Sequence, residues 1–260
     1  MQIFIPTRGR FIPRHTIKSL FFEETNFGYP VTIVVPECEK VFWEQEPFSV
    51  VTVPDNFTSG QIRQWINDNY MDDPHHVCID DDLKFFRRLE GTTFLDKVTP
   101  TDVESMLRWM ECQLKTEYCH GGISAREGNN HKDDLEEVNT RVMRCLFYNA
   151  LEMQRNDIRW DAIKCRMDFH VSLSLMEAGC SNIVNFEFAH NQNTSGASKT
   201  GAGHYRTMAM MNEQAVKLQE LHPEFVKTKE KTTKSSFGGG TRTAVMIQWK
   251  KAFKSSQTTS

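Results

Sequence analysis

Three consecutive aspartates follow a short apolar stretch in the first third of the chain. The stretch runs from His76 to Ile79, and Asp80, Asp81 and Asp82 come directly after it. Apolar β-forming residues followed by acids predict a buried strand that brings carboxylates to the edge of a sheet, where ligands bind in open α/β folds. Crowded carboxylates repel one another unless a cation joins them. The alternative is that these aspartates cap a turn or helix, because Asp is favoured there.

The spacing of the acids predicts a site for a hard divalent cation. Asp80 and Asp82 lie two residues apart, so in an extended chain their side chains share a face. Carboxylates with no His or Cys beside them suit Mg²⁺ or Mn²⁺, which proteins bind through one or two carboxylates together with substrate phosphates. We therefore expect a metal site at these two residues.

A tight cationic loop follows the first apolar strand of the chain. Its residues are Thr7, Arg8, Gly9 and Arg10, and a helical pattern comes after them. A strand, a Gly-bearing loop with two guanidinium groups and a helix together suit a phosphate or a nucleotide. The alternative is that Arg8 and Arg10 are solvated loop residues.

A second candidate loop lies just before the acidic stretch. Thr58 or Ser59 can cap a helix whose first turn contains Gly60. A glycine there would let the backbone approach a ligand, and Arg63, one turn further along, would meet a negative charge. The alternative is an ordinary amphipathic connecting helix.

The composition is that of a soluble globular protein. Of 260 residues, 39% are hydrophobic and 25% are charged. No apolar run approaches the roughly 20 residues that span a membrane, and the start is not a signal peptide, so we expect a cytoplasmic protein. The seven cysteines include no C-x-x-C pair and are interpreted as reduced packing residues. The net charge is −3, but the last forty residues are basic.

Alternating strand and helix patterns predict an α/β fold that positions these residues. Strands are expected at 1–6, 31–35, 49–54, 76–79, 144–149 and 183–188, and helices at 13–22, 100–114 and 204–221. The βα-type spacing of the first four strands predicts parallel pairing. Residues 83–89 are predicted to form a turn and a helix that packs by its Phe residues. We expect one domain over residues 1–222 and a basic C-terminal extension over 223–260, with a docking strand at 243–249.

The order of these motifs resembles the nucleotide-sugar half of a GT-A glycosyltransferase. The first strand ends at Thr7, the second at Glu37, the Gly60 helix follows, and the acidic strand comes next. Over roughly residues 1–190 the chain is similar to phage glycosyltransferases that are encoded beside TET-type dioxygenases. These glycosyltransferases add sugars to hydroxymethylated pyrimidines in DNA. The resemblance implies a three-layer sandwich with a mostly parallel central sheet.

The resemblance also implies roles for the candidate residues. A divalent cation would bridge the donor diphosphate, with Asp82 as its direct ligand and Asp80 near the ribose or a metal-bound water. The donor-binding set would be Thr7, Arg8, Arg10, Glu37, Gly60, Arg63, Asp80 and Asp81. In some GT-A enzymes a His after the last strand completes the metal site, which makes His190 the candidate third ligand and His204 the second choice.

The resemblance places a catalytic acid at the first turn of a helix. Asp168 has this position, but Met167 stands where the family pattern has a second acid, so inverting base catalysis is an open question. In such chemistry an acceptor hydroxyl attacks the anomeric carbon while a nearby carboxylate takes its proton. The alternative interpretation of Asp168 is a helix N-cap.

Together with these patterns, the resemblance implies a metal-dependent transferase that moves a sugar from a nucleotide sugar, UDP-linked for preference, to a hydroxyl group. The resemblance also makes hydroxymethylpyrimidine in phage DNA the preferred acceptor, and the basic C-terminal segment suits a nucleic-acid backbone. One alternative is a nucleotidyltransferase or pyrophosphorylase, which would usually carry a Lys-bearing phosphate loop after the first strand. Another is a non-catalytic DNA-binding module, which would leave the acids unused.

Overall fold

A ten-stranded mixed sheet forms the centre of the molecule, in a computed structural model that describes residues 1–9, 15–21, 28–44, 47–129, 131–192, 201–233 and 239–257. The strands are β1 (Gln2–Pro6), β2 (Val31–Pro36), β3 (Ser49–Val53), β4 (His75–Ile79), β5 (Lys84–Arg88), β6 (Leu95–Lys97), β7 (His120–Ala125), β8 (Glu136–Val138), β9 (Cys145–Asn149) and β10 (Asn182–Asn191). Their order is β3-β2-β1-β4-β9-β7-β10-β5-β6, and β8 pairs with β10.

Most strands of this sheet run in one direction. The first four strands are mutually parallel, as their spacing predicted. β9, β5 and β8 run against their neighbours, so seven of the ten described strands share a direction. The predicted α/β class with a mostly parallel central sheet is confirmed.

Helices cover both faces of the sheet. They are α1 (His15–Leu20), α2 (Ser59–Asn69), α3 (Pro100–Gln113), α4 (Arg126–Asn129), α5 (Ala150–Arg155), α6 (Met167–Glu177), α7 (Met208–Leu221) and α8 (Trp249–Gln257). Alternation along β1 sends Ile3 and Ile5 into the core shared with α1 and α3, and Phe4 into the core shared with α2. A larger core on the α6 side includes buried residues of α6, α7 and α8.

Capping boxes fix the starts of the two predicted helices that flank the acids. The Thr58 hydroxyl accepts a hydrogen bond from the Gln61 amide while the Gln61 side chain accepts one from the Thr58 amide, and Thr99 and Asp102 do the same at α3. Both motifs are local in sequence. In the described part of the chain, no helix is both long enough and apolar enough to cross a membrane.

The helix predicted over residues 83–89 is wrong. Residues Lys84–Arg88 form strand β5, which pairs with β10 on one edge and β6 on the other. Phe85 and Phe86 point to opposite faces, and Phe85 is buried in the core. The reason is that the partner strand β10 lies about a hundred residues further along, which the local pattern does not reveal.

The C-terminal segment forms a hairpin and a helix. β11 (Val226–Thr233) pairs with β12 (Gly240–Ile247) in a separate two-stranded antiparallel sheet. The predicted strand at 243–249 therefore corresponds to β12, but it joins a hairpin and not the central sheet. Val226 and Ala252 are fully buried in the α6-side core, so the segment packs on the rest of the chain.

Candidate active site

The three aspartates lie at the carboxyl-terminal edge of the parallel strands. The Asp80 amide donates to the Arg144 carbonyl over 2.8 Å, and the Asp80 carbonyl accepts from the Thr16 hydroxyl over 2.5 Å. These bonds fix the backbone while 29% of the Asp80 side-chain surface stays exposed. Asp80 can therefore meet a ligand without moving its backbone.

Thr7 and Asp81 join the ends of two neighbouring strands. The Thr7 hydroxyl donates to Asp81 Oδ2 over 2.5 Å, and both side chains are buried. Because β1 and β4 are parallel neighbours, their carboxyl ends meet at this bond. Both residues were predicted to bind the donor. Their observed contact fastens the two loops to each other, and donor binding by either one stays a prediction.

Asp82 is held by a residue that the sequence did not single out. The Gln192 side-chain amide donates to both Asp82 carboxylate oxygens, over 2.7 and 2.9 Å. Gln192 directly follows β10, and the Asp82 side chain is buried. No local signal marks a glutamine at this point of the sequence, since its role depends on an acid that lies 110 residues away along the chain.

His190 lies in β10, fully buried. Its Nε2 is 3.0 Å from the Met143 carbonyl, and a carbonyl only accepts, so Nε2 carries the proton. Its Nδ1 is buried and has no hydrogen-bond partner among the residues that the structure describes. Burial, with Arg144 nearby, lowers the pKa of His190 to about 3, so the ring is neutral at physiological pH and Nδ1 offers a lone pair.

The three predicted metal ligands do not form a preassembled triad. One group of three potential ligand residues is found among the described residues: Cys119, Glu152 and Cys180. Their ligand atoms lie within 4.8 Å of one another. The predicted ligands Asp80, Asp82 and His190 are not such a group. Two carboxylates at one strand end still match the way Mg²⁺ and Mn²⁺ are bound together with phosphates.

Arg63 is a buried cation paired with the first aspartate. Its Nη2 donates to Asp80 Oδ1 over 2.5 Å, its Nε donates to Cys78 Sγ over 3.3 Å, and the guanidinium lies 5.6 Å from the centre of the Trp160 ring. Burial disfavours its charge, but Cys78 and Asp80 outweigh that effect and the pKa of Arg63 is raised. The negative charge that Arg63 meets is therefore one of the chain's own carboxylates.

Gly60 makes a close approach to this chain's own backbone. A Cβ atom at this position would lie 2.7 Å from the Trp160 carbonyl oxygen and 3.3 Å from Asp161 Cα. The absence of a side chain thus lets α2 pack on residues 160–163, which carry the tryptophan beneath Arg63. This packing accounts for the glycine, and its predicted contact with a donor stays a prediction.

Polar groups line the ends of the first three strands. The Arg8 guanidinium donates to the Asp55 carbonyl, and the Gly9 amide donates to both Glu39 carboxylate oxygens, over 2.9 and 3.0 Å. Glu37 is exposed at the start of a 3₁₀ helix, Glu37–Phe42. Glu39 and Asp55 were not predicted, although both follow strand ends as the predicted residues do.

Two predicted positions are not covered by the structure. Arg10 lies outside the described residues, and so does the side chain of His204.

Asp168 lies in the first turn of α6, half-buried. The N-cap of α6 is Arg166, at φ 65°, so the alternative in which Asp168 caps the helix is wrong. Burial raises the pKa of Asp168; Arg63 lowers it and Asp80 raises it further. Asp80 and Asp168 are far apart in sequence, but the charges of both carboxylates raise the pKa of Arg63.

Several arginines that the sequence did not indicate surround Asp168. They are Arg141 and Arg144 before β9, Arg166 before α6 and Arg206 before α7. Arg242 in β12 adds its charge to Arg166, whose Nη2 donates to the neighbouring Thr243 carbonyl over 3.3 Å. Their positions span about a hundred residues and share no spacing, so a sequence pattern could not assemble them. Only the fold brings them together.

Comparisons with known proteins give one family match and two distant structural similarities. Residues 1–201 match the family model described as TET-Associated Glycosyltransferase, and no curated protein matches. The crystal structure of S. aureus TarS is similar over 84% of this chain and 40% of that chain, at 12% identity and a TM-score of 0.49. The structure of CMP:2-keto-3-deoxy-manno-octonic acid synthetase complexed with CTP is similar over 70% of this chain and 88% of that chain, at 12% identity and a TM-score of 0.38.

The two structural similarities are too distant to carry an argument about function. The family match is different in kind, since it covers 201 of 260 residues and includes the strand ends, the acids, Asp168 and His190. The chain belongs to the TET-associated glycosyltransferase family and is a glycosyltransferase.

Proposed function

We propose that this glycosyltransferase moves a sugar from a nucleotide sugar, with a UDP-linked donor as first candidate, to a hydroxyl group in a metal-dependent reaction. The proposed acceptor is 5-hydroxymethylpyrimidine in phage DNA. The observation that carries the proposal is the convergence of Asp80, at a strand end, and Asp168, at a helix start, on one buried arginine, Arg63. A strand-end carboxylate and a separate half-buried carboxylate are the two acids that the reaction needs.

The metal in this proposal is Mg²⁺ or Mn²⁺, held by Asp80 and Asp82. Asp80 keeps exposed surface, and both carboxylate oxygens of Asp82 accept hydrogen bonds from the Gln192 side chain. The buried lone pair on His190 Nδ1 is the proposed third ligand atom. When bound, the cation would neutralise the charge that develops on the departing nucleoside diphosphate.

Asp168 is the proposed general base. As the acceptor oxygen attacks the anomeric carbon, Asp168 takes the hydroxyl proton, and the bond from that carbon to the diphosphate oxygen breaks. A raised pKa suits this role, because a base works best when its pKa lies close to the working pH. Arg63 touches no reacting atom in this scheme and positions Asp80 through their ion pair.

The test of the metal site is Asp82→Asn. We expect it to abolish transfer, because an amide cannot supply the charge that a divalent cation needs beside a diphosphate. Calorimetric titration with Mn²⁺ and UDP should show no heat of joint binding in this variant. The matched control is Asp134→Asn, which removes the same charge from an exposed position and should leave both measurements unchanged. Full transfer by Asp82→Asn at saturating Mn²⁺ would remove this residue from the proposed site.

A further inference from the structure

The arginines around Asp168 lack the acidic partners that balance other arginines of the chain. Arg63 pairs with Asp80, and exposed arginines such as Arg108 and Arg155 pair with glutamates on their own helices. Within the described residues, no ion pair within 4.0 Å involves Arg144, Arg166, Arg206 or Arg242. Burial lowers the pKa of Arg166, and the charges of Arg242 and Arg206 lower it further. Asp168 acts in the opposite direction and raises it.

Each of these four arginines also has a buried N–H group with no hydrogen-bond partner in the described part of the chain. The groups are Arg144 Nη1, Arg166 Nε, Arg206 Nε and Arg242 Nε. A buried donor on a charged side chain is costly when it is unpaired, so native proteins rarely leave one without a function. Four such donors come from four separate segments of the fold: Arg144, Arg166 and Arg206 interact with Asp168, and Arg242 follows in β12, where Arg166 donates to the neighbouring Thr243 carbonyl. Donors in this arrangement suit an anion.

The backbone is strained at two of the four arginines. Arg144 has a φ angle of 66° and Arg166 one of 65°, which lie in the left-handed region that residues other than glycine rarely adopt. Among the described residues they account for two of the four non-glycine residues with positive φ. Such strain persists where the surrounding structure enforces it, and it collects at ligand sites. The fold therefore holds both arginines beside Asp168 in a conformation that the local chain would not choose.

We propose that Arg144, Arg166, Arg206 and Arg242 form a phosphate-binding subsite beside Asp168. The guanidinium fork matches phosphate oxygens, and an arriving phosphate would satisfy the unpaired donors. The chemistry fits two sources, the donor diphosphate and a phosphodiester of the acceptor strand. Either assignment rests on the proposed function, in which both molecules approach Asp168.

The C-terminal hairpin favours the phosphodiester as the source. Arg242 lies directly opposite Lys231 in the hairpin register, so both side chains share one face. Lys227 and Lys229 follow at alternate positions on that face and are exposed. The opposite face packs inward, where Thr228 bonds to Gln219 of α7. A row of cations thus leads along the hairpin to the arginines, as a polyanion would require.

The first experiment uses inorganic phosphate as the probe and the full chain as the sample. Wild type, Arg206→Gln, Arg242→Gln and the control Arg108→Gln are melted in phosphate and in chloride of equal ionic strength. We expect phosphate to raise the Tm of wild type and control by about 3 °C over chloride. The two site variants should lack that rise while melting in chloride no lower than wild type, because each has one unsatisfied cation fewer. A structural role predicts the reverse, with lower melting in chloride and no phosphate effect in any protein, and that result would overturn the proposal.

The second experiment distinguishes the two sources. UDP with Mn²⁺ and a short single-stranded oligonucleotide are titrated separately into the same four proteins. A loss of about tenfold or more in oligonucleotide affinity, with UDP affinity kept, assigns the subsite to the acceptor strand, and the opposite pattern assigns it to the donor diphosphate. Unchanged affinity for both ligands in both site variants would overturn the subsite. These readouts need no sugar transfer, so they stand even where hydroxymethylated DNA proves not to be the acceptor.

Discussion

Asp168 is the residue whose replacement should separate chemistry from binding. We expect Asp168→Asn to lower kcat by roughly a hundredfold or more with little change in donor affinity, because a general base acts only on the chemical step. The measurement is steady-state transfer at saturating donor, with calorimetry for donor affinity. The control is Asp161→Asn, which changes an acid a few residues earlier that pairs with the half-exposed Arg159. Unchanged turnover in Asp168→Asn would deny it the role of base and favour a retaining mechanism.

The pH profile gives a second test at the same residue. Burial raises the pKa of Asp168 above its ordinary value of 3.8, so the carboxylate form that accepts a proton appears only at higher pH. We expect kcat to fall on the acid side with a midpoint above 3.8, set by Asp168. The sign for stability follows from the same shift. Folding favours the protonated form of Asp168. Its contribution to the free energy of unfolding is therefore fully present below the ordinary pKa and is lost as the pH rises through the pKa of the folded protein.

The acid-side midpoint should be measured from kcat between pH 4 and 8 in a series of overlapping buffers of about 0.1 M ionic strength. Asp168→Asn, assayed at high enzyme concentration, serves as the reference, because its residual rate should lack this midpoint. A residual rate with the same acid limb would assign the titration to another group.

Residues were predicted well where one stretch of chain carries the whole signal. Asp80, Asp81 and Asp82 end their strand as expected, and Asp168 lies in the first turn of its helix. Gln192 was missed because its importance comes only from its contact with Asp82. The arginines beside Asp168 were missed for the same reason, since no spacing relates one to the next.

At the scale of elements, the contact between α2 and residues 160–163 links packing to the site. We expect Gly60→Ala to lower the free energy of unfolding by about 1–3 kcal/mol, because the added Cβ would lie 2.7 Å from a backbone oxygen that cannot turn away. Urea unfolding followed by fluorescence measures the change. Gly128→Ala is the matched control, because no atom of the described residues lies within 4 Å of a Cβ there. It should be neutral or slightly stabilising, and equal effects of both substitutions would refute the packing argument.

Local and distant interactions explain which elements the sequence could predict. Thr58 and Thr99 start their helices through capping boxes that lie within four residues of sequence. β5 was predicted as a helix because its stability comes from pairing with β10, on the other side of α3, β7 and α6 in the chain. Two phenylalanines flanked by cationic residues are compatible with a helix when the segment is considered alone, and with a strand when β10 is present to pair with it. Only the partner decides between them.

The order of the first four strands made the fold class of the whole molecule predictable. Each is apolar, each is followed by polar residues, and their parallel pairing gathers those residues at one edge. The C-terminal segment gave a weaker signal, because β11 alternates lysine with threonine or glutamate and carries few apolar residues. Its pairing with β12 and the burial of Val226 and Ala252 tie the basic segment to the α6-side core.

The final prediction concerns the exposed face of that hairpin. Reversing Lys227, Lys229 and Lys231 to glutamate should weaken DNA binding and flatten its salt dependence, by roughly 0.9 in slope for every duplex phosphate that the variant no longer binds. The three side chains point away from α7, so the hairpin and the central sheet should be preserved. The measurement is DNA affinity at a series of salt concentrations, with UDP affinity in parallel.

Lys97→Glu provides the control, because it reverses an exposed lysine in β6 of the central sheet. UDP affinity should be the same in all the proteins, since the strand-end acids belong to the central sheet and not to the hairpin. Equal salt slopes for wild type and the triple variant would make the lysine row a solvated surface. The acceptor would then have to reach Asp168 from another side, and the arginines beside it would have to bind the donor diphosphate alone.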